Sequence, residues 1–261
     1  MFSDLAVDFC DKKSSFSGVT VEERRQGVIT ERKVEILSKQ AERELGKRVG
    51  KYFSLEIPNG TFPQIPLILH LKKLLCELIV NPLPKGAQVL VVGFGNGNLA
   101  CDALGALALN GLIVGQDSRV RVRTLNPGVE GTTGIKGTTV LSAVVREIQP
   151  QALLCVDALV GAKFSRIGNV FQLTDAGISP GSGTGNRTFS VTQETLGIPV
   201  YAIGVPLALP YEIEGQGTQK FLVCPREIDI LVQRVSRVIC DAVNLAFHPE
   251  LSLSDVRSLL Y

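Results

Sequence analysis

The feature that most constrains this chain is the stretch Gln88-Val-Leu-Val-Val92, which passes directly into Gly93-Phe-Gly-Asn-Gly-Asn98. So short and continuous an apolar run suits a strand buried on both faces, and that requires a sheet covered by helices. Glycines immediately after it let the backbone turn sharply at the strand's carboxyl end. An apolar helical run then begins near Asp102, which completes a β-loop-α unit. The theme recurs: a helix at roughly 138–148 leads into Ala152-Leu-Leu-Cys-Val156 and then Asp157, and a third apolar strand reads Val200-Tyr-Ala-Ile-Gly204. Apolar strands separated by helical stretches predict an α/β sandwich of three layers with a mostly parallel central sheet, in which sites form outside the carboxyl ends of the strands. Asp102 and Asp157 each fall at or just after such an end.

The remaining segments fit around that sheet. Residues 1–58 alternate apolar and polar positions, as in Val28-Ile-Thr-Glu-Arg-Lys-Val-Glu-Ile36, and predict short strands with a helix near 37–47. This strand-rich segment packs on the α/β core, so that 1–261 reads as one domain. Pro66 suits the first turn of a helix reaching about Val80, with Leu67, Leu71, Leu74, Leu75 and Leu78 on one face. Pro225 opens a long amphipathic helix, and a short polar tail with Leu259 and Leu260 follows.

Composition excludes several classes. Net charge is +2, with 27 Lys+Arg interspersed among 25 Asp+Glu, so no basic patch points to nucleic acid or to an anionic membrane. The N-terminus lacks the basic and apolar regions of a secretory signal, and no stretch suits a membrane helix, which places the expected location in the cytosol. Six scattered cysteines without a C-x-x-C pair read as buried reduced thiols. His70 and His248 are the only histidines, and neither is placed for a serine triad or a metal cluster. No metal is expected.

Gly93-x-Gly95-x-Gly97 resembles a dinucleotide fingerprint, but position 98 is Asn and no acidic residue ends a following strand at the required distance. No cofactor is expected, and a tight site-forming turn shaped by Gly93, Gly95 and Asn96 fits better. A single Asp after a strand is most often a helix N-cap. Here Asp102 and Asp157 each open an Asp-Ala-Leu triplet, so both can converge on one crevice. Two carboxyls sharing a site do not easily ionise together; one keeps a proton, and the pair can serve as base and acid in amide hydrolysis. Which of the two does which is left open by the residues. The segment Asp175-Ala-Gly-Ile-Ser-Pro-Gly-Ser-Gly-Thr-Gly-Asn186 either makes turns or brings backbone close to a ligand. Asp175-Ala-Gly has no second copy, so pepsin-like chemistry is not assigned to it.

Taken together, these segments resemble the germination proteases of spore-forming bacteria, atypical aspartic endopeptidases. The similarity runs through Asp4-Leu-Ala-Val-Asp8, Gly50-Lys-Tyr-Phe-Ser-Leu-Glu56, Val91-Val-Gly-Phe-Gly-Asn96, Asp102-Ala-Leu-Gly105, Pro127-Gly-Val-Glu-Gly-Thr-Thr-Gly-Ile135, Val156-Asp-Ala-Leu159, Gly177-Ile-Ser-Pro-Gly-Ser-Gly-Thr-Gly-Asn186 and Glu194-Thr-Leu-Gly-Ile-Pro-Val-Tyr-Ala-Ile-Gly-Val-Pro206. The resemblance implies that Asp102 and Asp157 are the catalytic carboxylates and that the fold is akin to that of hydrogenase maturation proteases. It implies small acid-soluble spore proteins as substrates, a homo-oligomer, typically a tetramer, and a forespore or spore-core location. Gly177, Gly181, Gly183 and Asn186 then join Gly93, Gly95 and Asn96 as residues shaping the cleft. An Arg of the family pattern after Asp157 is missing, with Lys163 adjoining its place. The family's propeptide would precede the Asp4 segment, where only three residues stand, so activation by its removal is not expected. The stretch after Pro206 is also shorter than in typical members. The alternative is a sporulation protein of the same fold that binds peptide partners without cutting them. A nickel-sensing maturation peptidase would need ligands that this His-poor chain lacks.

Overall fold

The apolar runs become strands of one sheet in the computed structural model, which describes residues 3–10, 17–115, 118–181, 190–213 and 219–260. After a one-turn helix α1 (Val7–Cys10), strands β1 (Val19–Gln26) and β2 (Ile29–Ile36) form a hairpin. Its two-residue turn places Gly27 at φ +61°, a conformation that favours glycine. Helix α2 (Lys39–Leu45) is capped by Ser38, whose side chain accepts the Ala41 N–H, and is stopped by left-handed Gly46. Strand β3 (Gly50–Glu56) then returns antiparallel to β2.

Helix α3 (Gln64–Leu75) buries Leu67, Leu71, Leu74 and Leu75 and runs on through a π-helical stretch, Cys76–Val80, into β4 (Ala87–Gly93). A short 3₁₀ turn (Ala100–Asp102), helix α4 (Leu104–Asn110), β5 (Val120–Leu125), α5 (Glu130–Thr133), α6 (Gly137–Ile148) and β6 (Ala152–Val160) follow. Strand β7 (Val170–Thr174), α7 (Gln193–Leu196), β8 (Val200–Ile213), β9 (Gln219–Val223), α8 (Ile228–Phe247) and α9 (Leu253–Leu260) complete the chain. The region expected as a polar tail is thus a helix. Its Arg257 pairs with the buried Asp241 of α8 at 3.0 Å, which fastens it down.

The sheet order is β1-β2-β3-β7-β8-β6-β4-β5, with β9 paired to β8. Only β5, β4, β6 and β8 run parallel. β7 lies antiparallel between β8 and β3, so the sheet is mixed and the expectation of a mostly parallel one holds for this half alone. All five residues of β7 are buried, and a strand covered on both faces looks apolar throughout whichever way it runs.

Side chains alternate between two cores. Val89 and Val91 of β4 and Leu154 and Val156 of β6 pack with α3, α4 and α8 on one face. Leu90, Val92, Leu153 and Cys155 pack with Leu141 and Val145 of α6 on the other. On that second face Leu5 and Val7 join Ala41 and Leu45 of α2 over Val34, Ile36 and Tyr52. Among the described residues no helix is long and apolar enough to cross a membrane.

Candidate active site

Strand β4 ends at Gly93 because the chain must turn there under α4. A Cβ on Gly93 would lie 2.3 Å from the Gly105 carbonyl oxygen, and one on Gly105 would lie 2.2 Å from that of Phe94. Strand end and helix start therefore touch backbone to backbone. Gly95 turns the chain at φ +101°, and a Cβ on it would lie 2.0 Å from the Asp102 carbonyl oxygen. Asn96 then organises the loop three ways. Its N–H donates to Asp102 Oδ2 (2.7 Å), its side-chain oxygen accepts the Asn98 N–H (3.0 Å), and its carbonyl accepts the Leu99 N–H (2.9 Å).

Asp157 comes from the neighbouring strand. The expected strand end at Val156 is not an end: β6 continues to Val160, with Asp157 beside Gly204 of β8. That glycine lets the strands stay close, since a Cβ there would lie 2.7 Å from the Asp157 carbonyl oxygen. Asp157 nevertheless lies past the end of β4, whose last residue, Gly93, pairs with Val156. Both carboxyls therefore belong to the carboxyl edge of the parallel strands, Asp102 after β4 and Asp157 on β6.

Electrostatics separates the two acids. Burial pushes the Asp157 carboxyl well above the usual carboxylate range, the negative charges of Asp102 and then Asp4 push it further, and the Ala158 N–H opposes them. Asp157 is only 8% exposed. Asp102 is less enclosed; burial raises its carboxyl too, against the Asn96 N–H that favours the ionised form. Each carboxyl has one backbone donor, so the deeper burial of Asp157 is what pushes it further toward its protonated form than Asp102. Cys155, on the same face, is also raised well above the ordinary thiol range by burial and by Asp157, so it is a packed thiol rather than a nucleophile.

The other expected residues divide. Gly177 has φ +73°, a Cβ on it would lie 2.3 Å from the Val191 carbonyl oxygen, and the 177–181 loop meets the 191–192 segment, where Ile178 and Val191 form a β-bridge. Gly181 also has φ +74°. Gly183 and Asn186 lie outside the described residues. Lys163 is exposed in the turn after β6, six positions beyond Asp157. Arg166, which the sequence reading passed over, is buried between Asp8 (3.0 Å) and Glu56 (2.8 Å), where it ties the N-terminal segment to β3. Asp175 accepts the Lys51 N–H at 2.7 Å and anchors β3, a structural role.

A cavity of about 570 Å³ lies elsewhere, lined by Glu22, Glu31, Lys33, His70 and Lys73 among others. Several of its charged groups are paired, Lys33 with Glu22 and Glu35, His70 with Glu31, and Lys73 with Glu77. The Asp102–Asp157 pair, where burial and a neighbouring carboxylate both raise the Asp157 carboxyl, is the stronger candidate.

Comparison with known proteins identifies the family of the chain. The family model described as germination protease matches residues 3–210. A germination protease of Caldanaerobacter subterraneus subsp. tengcongensis is 30% identical over 316 aligned positions, covering 99% of this chain and 98% of the relative. One from Clostridium tetani is 30% identical over 319 positions, covering 99% and 98%. One from Bacillus velezensis is 35% identical over 228 positions, covering 78% and 62%. The first two alignments are longer than the chain's 261 residues, so those relatives carry inserted residues that are absent here.

Proposed function

This chain belongs to the germination protease family, and on that premise we propose that it is an endopeptidase that cuts small acid-soluble spore proteins with Asp102 and Asp157 as a carboxylate pair. The observation that carries the reading is the electrostatic coupling of a buried Asp157 to Asp102 at one sheet edge.

In this mechanism Asp157 holds the proton and Asp102 is ionised. Asp102 takes a proton from water as the water oxygen bonds to the peptide carbonyl carbon. Backbone amides of the glycine loop after β4 face the oxyanion that forms. As the C–N bond breaks, Asp157 gives its proton to the departing nitrogen, and the proton on Asp102 then passes to Asp157 to restore the pair. No metal takes part in these steps. Gly93, Gly95 and Asn96 hold the base in place, while the loop containing Gly177 and Gly181 flanks the substrate, with Lys163 at the rim.

The same reading takes residues 1–261 as one peptidase domain, a three-layer sandwich akin to hydrogenase maturation proteases. It acts as a homo-oligomer in the forespore or spore core. The unbroken sheet from β1 to β5 supports the single domain.

The test is incubation of a small acid-soluble spore protein with wild type, Asp102→Asn and Asp157→Asn, with and without chelator, read by mass spectrometry. Discrete fragments from wild type alone, in both conditions, are the expected result. An intact substrate throughout would turn the reading toward a binding protein of the same fold, and cleavage by either variant would remove that Asp from the mechanism.

A further inference from the structure

The turn that presents Asp102 also presents a thiol. Cys101 lies in the 3₁₀ turn Ala100–Asp102, immediately before the acid, and this turn packs on α8 and β8. Cys224 lies in the link between β9 and α8, just before Pro225. The two residues come from distant parts of the chain. Both are nevertheless half-buried against the core that α3, α4 and α8 share, and the Cys101 thiol is in hydrogen-bond contact with that of Cys224. Other thiols of the chain are placed differently. Cys76 Sγ and Cys240 Sγ donate to the carbonyls of Ala246 (4.0 Å) and Ala108 (3.1 Å), and Cys155 is fully enclosed.

We propose that Cys101 and Cys224 are a redox site that closes reversibly to a disulfide, fastening the Asp102 turn to the β9–α8 link and lowering activity. The effect on cleavage rests on the carboxylate-pair reading above; the bond itself does not. Joined sulfurs stand about 2 Å apart, closer than thiols in hydrogen-bond contact, so closure draws Cys101 towards Cys224. The turn has little room to absorb that movement. The Asp102 N–H donates to the Leu99 carbonyl at 2.8 Å, and Asp102 Oδ2 accepts the Asn96 N–H at 2.7 Å. The Gly95 backbone is so near that a Cβ on it would lie 2.0 Å from the Asp102 carbonyl oxygen. The carboxyl therefore shifts with its neighbour, and a displacement of about 1 Å in a catalytic group costs on the order of 10²-fold in rate.

The oxidant is a low-molecular-weight disulfide. Burial first, then Cys224 and the charge of Asp102, push the Cys101 thiol up, so Cys101 keeps its proton and Cys224 attacks. The Cys224 sulfur bonds to one sulfur of the small disulfide, whose S–S bond breaks, and the Cys224 proton goes to the small thiolate that leaves. Cys101 then attacks Cys224 Sγ, the mixed bond breaks, and the Cys101 proton goes to the second small thiolate. Two protein thiols are oxidised and one small disulfide is reduced to two thiols; excess small thiol runs the sequence backwards.

The test treats the full chain with glutathione disulfide, blocks the remaining thiols with iodoacetamide before unfolding, and maps non-reduced peptides by mass spectrometry. The expected result is a peptide pair joined through Cys101 and Cys224. With it, kcat/KM on a small acid-soluble spore protein should fall about 10²-fold and return with dithiothreitol, while Cys224→Ser keeps its activity under the same treatment. Recovery of Cys101 and Cys224 alkylated, capped by glutathione without joining, or joined to other cysteines overturns the inference. Equal inhibition of Cys224→Ser does the same, and so does a joined pair whose turnover matches that of the reduced chain. If the reduced chain leaves the substrate intact, the endopeptidase reading falls instead, and the joined peptide alone decides whether the two thiols are a redox site.

Discussion

The antiparallel wing of β1–β3 carries many more charged side chains than the crevice of Asp102 and Asp157, yet it asks far less of the fold. Every residue of β1 after Val19 is exposed, and its acids and bases pair across the hairpin in water, as with Glu23 and Arg32 at 2.7 Å. Such pairs contribute little, because solvent already satisfies both partners. At the carboxyl edge of the parallel strands Asp157 is buried, and among the described residues the charges acting on it are those of Asp102 and Asp4, both negative. That arrangement costs stability, and only a rigid surround sustains it. Density of charge marks the wing; burial of unmatched charge marks the site.

The sharpest way to break this contrast is Asp157→Asn. If the burial of Asp157 serves chemistry, the substitution lowers kcat/KM by at least about 10³-fold and raises stability at neutral pH by about 1–3 kcal/mol. The pH sign follows from linkage. The folded Asp157 keeps a proton that the unfolded chain surrenders, so wild-type stability falls as pH rises above the ordinary carboxylate range, and the variant should lose that slope. Urea unfolding at several pH values measures it; equal slopes would show that Asp157 is not under strain.

Arg166→Ala comes next. Arg166 is the cation paired directly with buried Asp8, and removing it should cost about 3–5 kcal/mol in urea unfolding. A loss below 1 kcal/mol would put this buried pair in the same class as the wing's exposed ones. Gly105→Ala sharpens the comparison from the backbone side. Its Cβ would press on the Phe94 carbonyl, so it should cost about 1–3 kcal/mol and reduce turnover by displacing Asp102. The smallest effect belongs to the wing: Glu23→Ala should change stability by less than about 1 kcal/mol, and less still at high salt.

Much of this was legible along the chain. The strands around Val89–Val92 and Ala152–Val156, the helices near 39–45, 64–80 and 137–148, and the Asp102-Ala-Leu triplet lie where the periodicity and the glycines put them. Three things were not. The antiparallel insertion of β7 was hidden because Val-Phe-Gln-Leu-Thr carries no mark of direction. The length of β6 was hidden because an Asp after an apolar run reads as a boundary, and only Gly204 on the next strand allows the strand to pass it. The place of Asp4 was hidden because its partner, Val160, is 156 residues away.

Local rules suffice for elements whose causes are neighbours in sequence: a glycine at positive φ, a capping serine, an apolar stripe of period 3.6. They placed the Gly93–Asn96 turn and named Asp102 and Asp157 before any contact was known. The difference between the two carboxyls came only from tertiary structure. Burial, and the charges brought together from β6, the loop after β4 and the N-terminal segment, raise one carboxyl above the other, and desolvation is a property of the packed molecule rather than of any residue in the chain.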